Sequence, residues 1–223
     1  MITKYKHVFL LVLFSVFALS FVNAQEQIED NSQDNEKLYE KLEFYDLRGT
    51  NAIDAAVGGS LLSGDFPKPE LEIYLRIGYK RFITQHLGIS FTYNKYNLAF
   101  DDMFNEGFMS FDLNLEYLMS PYNSISPFIY AGYGYNAANY FENTGAKAQG
   151  GLGIEIIVAE KIGVKLFGEY NYVIFNETNT ILLEENISLF RLGIGVNLYF
   201  GGKKKKEGLL EKLDTVIKSN SIK

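Results

Sequence analysis

The 223-residue chain has no cysteine and no tryptophan, and only four prolines and two histidines. Without cysteine there is no disulfide framework and no lipobox thiol to carry a lipid anchor, so an exported chain of this size must rest on its own hydrogen-bond ladder. Beyond residue 24 no apolar run approaches the ~20 residues that a spanning helix needs. A basic excess is missing as well. The net charge is −6, which argues against nucleic-acid binding, since that needs a positive surface.

The one long apolar stretch lies at the start. Lys4 and Lys6 precede an apolar run from Val8 to Leu19, and Val22-Asn23-Ala24 places small residues at the −3 and −1 positions of a cleavage site. Residues 1–24 are therefore expected to be a secretory signal peptide, cut before Gln25. An uncleaved anchor is the alternative, but the run is too short to span a bilayer.

What the chain has in quantity is aromatic residues, 15% of the total with 16 Tyr and 18 Phe, together with 20 Gly. They fall in eight segments that alternate apolar and polar residues with period two. The spacing predicts strands over residues 51–62, 71–82, 87–100, 108–118, 127–135, 146–158, 164–175 and 187–200. The second is the clearest: Leu71, Ile73, Leu75, Ile77 and Tyr79 share one face, and Glu72, Tyr74, Arg76, Gly78 and Lys80 the other. Loops are expected at 63–70, 101–107, 136–145 and 176–186. An even number of amphipathic strands at or above the ~9–11 residues that cross a tilted bilayer predicts an all-β, eight-stranded antiparallel up-and-down transmembrane barrel. The expected domains are residues 1–24, signal peptide; 25–50, acidic periplasmic linker; 51–200, barrel; and 201–223, basic periplasmic tail. In the linker, residues 26–36 read as disordered, and Leu38, Leu42 and Tyr45 suggest a short amphipathic helix.

The polar faces define a candidate lumen network. Asp54, Glu72, Asp112, Glu116, Glu155 and Glu169 stand against Arg76, Lys80, Lys147, Lys165 and Arg191, six acids to five bases. Eight strands enclose a space that side chains just fill. Charges trapped there must pair or cost several kcal/mol each, so near-neutrality favours a plugged lumen over an open pore. Gly58, Gly78, Gly88, Gly151, Gly153, Gly193 and Gly195 on the same faces leave room for long side chains. A soluble, lipocalin-like barrel would turn these faces outward around an apolar core; the tyrosines near strand ends and the glycines on the polar faces oppose it.

The hairpins, the stretches His86-Leu87-Gly88-Ile89 and Lys161-Ile162-Gly163-Val164, and the final strand closing on Leu198 and Phe200 resemble the small eight-stranded outer-membrane barrels of the OmpA/OmpX type over residues 51–200. The resemblance implies insertion in the outer membrane of a Gram-negative bacterium with both termini periplasmic. It also implies outer-membrane lipids as surroundings, and recognition of the last strand by the barrel-insertion machinery. Here Phe200 is followed by 23 residues, a departure from that family. The stretches over 108–118 and 127–134 are similar to a barrel module associated with curli production assembly/transport proteins, which would make this an accessory module without the pore domain.

No catalytic arrangement emerges. After cleavage the sole histidine is His86, in a turn expected on the periplasmic side and read as solvated. Without an outward-facing His or any Cys the usual nucleophile–base pairs cannot assemble. No enzyme activity and no cofactor are expected. Asp101, Asp102 and Glu106 form a candidate divalent-cation loop through oxygen ligands, set against the plainer reading of a solvated acidic rim. The tail combines Lys203, Lys204, Lys205 and Lys206 with Leu209, Leu210, Leu213 and Ile217 at helical spacing. It carries seven Lys against three acids, while residues 25–50 carry eight acids against three bases. These segments are expected to pair beneath the barrel, or the tail to lie on anionic lipid or dock a periplasmic protein. The expected function is structural or interactive: envelope integrity, or anchorage of periplasmic partners. A narrow passive channel is the alternative.

Overall fold

In a computed structural model of the chain, residues 31–63, 68–100, 104–141, 144–175 and 187–220 are described. The expected signal peptide, residues 25–30, and Asp101 and Asp102 lie outside them. The chain divides into Met1–Glu36, of which only the opening of a helix is described, and Lys37–Lys223. That second unit contains the barrel, the larger part of the helix before it and the helix after it.

Helix α1 spans Asn31–Leu47. Eight strands follow: β1 (Asn51–Ser63), β2 (Glu72–Phe82), β3 (Leu87–Phe100), β4 (Phe104–Leu118), β5 (Ile125–Ala138), β6 (Thr144–Ala159), β7 (Ile162–Phe175) and β8 (Ile187–Phe200). Each pairs antiparallel with its sequence neighbour. β1 then pairs with β8 from Asn51↔Phe200 to Ser63↔Ser188, closing the barrel and leaving no free edge. A 3₁₀ turn, Asn139–Phe141, sits between β5 and β6, and helix α2, Lys203–Asn220, follows the barrel. Gly201 and Gly202 take positive φ (74° and 93°) to turn the chain from β8 into α2.

Side-chain polarity is inverted relative to a water-soluble barrel. Ile53, Leu75, Ile77, Phe91, Leu113, Leu115, Leu152, Leu166, Leu192 and Ile194 are exposed on the outer face, while the interior holds most of the charge. Outer aromatics gather toward the two ends of this belt, with Tyr79, Tyr117 and Phe200 near the chain termini and Tyr133, Tyr135 and Tyr172 toward the opposite end. Water does not stabilise such an exterior. A bilayer does, and it accepts a sheet only when every strand is paired. The barrel is therefore a membrane-spanning one, and the lipocalin-like alternative fails on the direction its faces point.

The sequence-based boundaries shift most in three places. β4 begins at Phe104, so Glu106 and Gly107 are strand residues opposite Leu98 and Asn97, not part of a seven-residue loop. The β5–β6 loop shrinks because pairing continues through Asn136↔Gly145 and Ala137↔Thr144. In both places the ladder outruns the side-chain alternation, since backbone hydrogen bonding has no need of it. Helix also begins at Asn31, inside the stretch expected to be disordered.

Candidate functional site

The lumen is the part of the molecule built with most chemical detail, and strand register positions it. On β2, Tyr74, Arg76, Lys80 and Phe82 point inward; on β7, Lys165, Phe167, Glu169 and Asn171 do so. Opposite charges meet over an intervening strand. Lys165 Nζ lies 2.5 Å from Asp54, Lys80 Nζ 2.5 Å from Glu116, and Lys147 Nζ 2.7 Å from Asp112. Glu169 is the hub. It pairs with Arg76 and with Arg191 (3.1 Å), and accepts hydrogen bonds from Tyr130 Oη (2.8 Å) and Asn171 Nδ2 (2.8 Å).

Neutral groups extend the network. Asn94 accepts from Tyr74 Oη and Arg76 Nε (both 2.9 Å) and donates through Nδ2 to Asp112 (2.8 Å). Arg76 also lies over the Phe167 ring at 4.8 Å. Arg191 covers Tyr96 at 4.0 Å and Tyr74 at 4.9 Å. Its Nε and Nη2 have no hydrogen-bond partner among the described residues, so the tyrosine faces are what meet that side of the cation.

Of the eleven candidate lumen residues, ten are buried and take part in these pairs or in the one at the terminal end. Glu72 is half-buried near the opposite end of the barrel. Beyond Tyr74, the aromatic share of the interior (Tyr96, Phe128, Tyr130 and Phe167) was not foreseen from alternation. The sequence reading also misjudged the glycines: several make way for rings. A Cβ on Gly151 would strike Tyr130, on Gly153 Phe128, and on Gly193 Phe167; only at Gly195 is a lysine, Lys165, among the nearest neighbours.

A larger omission is Arg48. It follows α1, is fully buried, and closes the terminal end of the lumen. Its Nε lies 2.9 Å from Glu155, while Nη1 donates to the carbonyls of Pro121 (2.7 Å) and Asn123 (3.1 Å). Glu155 also accepts from Asn197 Nδ2 (2.5 Å) and Tyr199 Oη. Above Arg48, Phe44 packs edge-on to Phe82 at 5.4 Å and to Tyr45 at 5.2 Å. Burying one such phenyl ring contributes about 2–3 kcal/mol. Lys161, in the β6–β7 turn, donates to the Tyr45 carbonyl and to the Arg48 carbonyl (2.6 Å). Partial burial holds the Lys161 ammonium below its usual pKa and pushes the Tyr45 phenol above its own. The end of α1 is thus a stopper docked into the barrel.

In the tail, Lys206 pairs with Asp46 of α1; Leu213 is buried, Leu209 packs against the core and Leu210 is exposed. Ile217 lies in α2, but its side chain is outside the described residues. Leu198 pairs with Ile53 and Ile162; Phe200 pairs with Asn51, its ring 6.3 Å from that of Tyr79 on the outer wall. Glu106 stands half-buried in β4, and among the described residues no three His or carboxylate side chains converge as metal ligands. His86 is not a freely solvated turn residue. Its Nδ1–H donates to the Leu118 carbonyl (2.8 Å) and the ring stacks on Tyr117 at 5.4 Å, a docked arrangement. Among the described residues no helix is long and apolar enough to cross a membrane, which says nothing of strands.

No protein-family model and no curated protein matches the chain. Solved structures do match. Neisserial surface protein A (NspA) aligns with a TM-score of 0.56 at 15% identity, covering 68% of this chain and 98% of that one. The N-terminal β-barrel domain of Pseudomonas aeruginosa OprF aligns at 0.42 and 17% identity, covering 67% and 99%. The outer membrane enzyme PagL aligns at 0.41 and 17%, covering 67% and 99%. The fold is that of the small eight-stranded outer-membrane β-barrels, as the resemblance implied. The curli-associated likeness gains no support from these comparisons.

Proposed function

We propose that the chain is a non-enzymatic outer-membrane barrel of a Gram-negative envelope, with both termini in the periplasm and a structural or interaction role. The observation that carries this reading is the filled and stoppered lumen. Its ion pairs interlock across the barrel, and Arg48 shuts the terminal end. Such an interior favours rigidity over passage. The outer surface suits lipid contact, and the two terminal segments, joined through Lys206 and Asp46, offer the polar platform on which a periplasmic protein could be anchored.

Planar-bilayer recording of the purified full-length chain tests the reading, alongside a gel comparing boiled and unboiled samples. A heat-shifted band without steady openings is expected. Steady, ion-selective openings would replace this reading with the narrow-channel one.

A further inference from the structure

Between the end of α1, the β2–β3 turn and the first turns of α2 lies an open cleft of about 420 Å³. Four of its lining residues are lysines: Lys41 from α1, and Lys204, Lys205 and Lys212 from α2. No carboxylate lines it among the described residues. This selection is not imposed by composition alone, because α1 carries five acids and α2 three. Glu40, Glu43, Glu207 and Glu211 all lie within a residue or two of the lining lysines, yet none of them lines the cleft. The one acid–base contact joining the helices uses Lys206 and Asp46, which leaves the four lining lysines out of that pair.

Position narrows the occupant. Ile83, 55% exposed, lines the cleft and follows directly on β2, whose outer residues Ile77 and Tyr79 face the bilayer. Leu209 supplies apolar wall from the α2 side. The cleft therefore sits at the edge of the apolar belt, cationic on its helical side and greasy toward the membrane. Gly208 also lines it. Glycine in a helix costs about 1 kcal/mol relative to alanine, and a Cβ here would meet nothing within 4 Å. The space beside Gly208 is open.

We propose that this cleft binds the phosphate of an anionic phospholipid headgroup in the leaflet bordering the terminal end of the barrel. Lys41, Lys204, Lys205 and Lys212 meet the charge, and Ile83 and Leu209 meet the adjoining acyl region. The inference rests on the membrane-barrel reading, with the terminal end at one membrane border. It deepens that reading by giving α2 a ligand.

The test is native mass spectrometry of the detergent-solubilised full chain titrated with short-chain phosphatidylglycerol, phosphatidylcholine of equal chain length, or inorganic phosphate. One phosphatidylglycerol should bind in preference to phosphatidylcholine. K204Q/K205Q should weaken it about 10- to 30-fold, from roughly 1 kcal/mol per lysine near an anionic surface. Q85E, which adds a carboxylate to the cleft lining, should weaken it with every lysine intact. K68Q/K95Q removes the same charge at the opposite end and should leave binding unchanged. Equal binding of the two lipids, or equal weakening by both lysine pairs, overturns the proposal. Inorganic phosphate binding as tightly as phosphatidylglycerol would assign a soluble anion and overturn the lipid. A heat-shifted gel band for every variant separates failure of this site from failure of the barrel itself.

Discussion

Glu169 and Glu155 are both carboxylates buried within the same wall of strands, yet they are satisfied in opposite ways. Glu169 takes all its partners from strands: Arg76, Arg191, Tyr130 and Asn171. Glu155 takes Asn197 and Tyr199 from β8, but its cation, Arg48, arrives from outside the sheet at the end of a helix. The first site is complete once register is set. The second is complete only when α1 docks. The middle of the lumen is thus part of the barrel's own folding, and the terminal end is a joint between barrel and helix.

Removing the hub should have the largest effect. E169A strands two buried guanidinium groups whose shared carboxylate is gone, and should cost about 3–5 kcal/mol, read as a lowered urea midpoint of the heat-shifted gel band. A loss under 1 kcal/mol would mean that water reaches the centre of the lumen and the plug is looser than its geometry.

At the other end, R48M leaves Glu155 with two neutral donors and frees the Pro121 and Asn123 carbonyls. The expected cost is about 3 kcal/mol, smaller than at Glu169 because Asn197 and Tyr199 remain. Pairing R48M with E155Q should recover much of that loss. Two singles that simply add would show that Arg48 and Glu155 are not coupled and that the joint is held by Phe44 alone. Y130F is the milder probe of the centre. It removes one hydrogen bond to a charged acceptor and should cost about 1.5 kcal/mol.

These two sites also mark what could be read from the chain itself. Period-two alternation placed ten of the eleven candidate charges inside, because a strand sends every second residue to the same face. It could not name partners, since Lys147 meets Asp112 over β5, where both stand opposite Gly134, and that depends on strand register. Arg48 escaped altogether because it belongs to no strand. The charge count gave no warning: with Glu72 standing apart, the buried acids and bases of the strands balance at five each, and Arg48 lies three residues before β1. Tyr74 was placed on the polar face, but the rings of Phe167 and Tyr130 were hidden for a different reason. An inward aromatic on a polar face looks like an exception to alternation, when here it is the surface on which the guanidinium groups lie.

The smallest effect concerns the joint alone. Lys161 ties the Tyr45 and Arg48 carbonyls to the β6–β7 turn, so K161Q should weaken helix docking by about 1 kcal/mol without moving the barrel's own transition. Hydrogen exchange over residues 44–48 reads it directly. The pH dependence has a definite sign. Burial lowers the Lys161 pKa in the docked state, so the undocked state binds more protons between the two pKa values, and docking strengthens as pH rises toward the ordinary lysine value. Tyr45 acts in reverse above pH ~10, where its raised pKa keeps the docked phenol neutral while the undocked one ionises. Wild-type docking should therefore pass through a shallow alkaline maximum, and K161Q should abolish its rising limb while retaining the fall. If both limbs survive in K161Q, another group governs the joint, and the Lys161 contacts are a consequence of docking, not one of its causes.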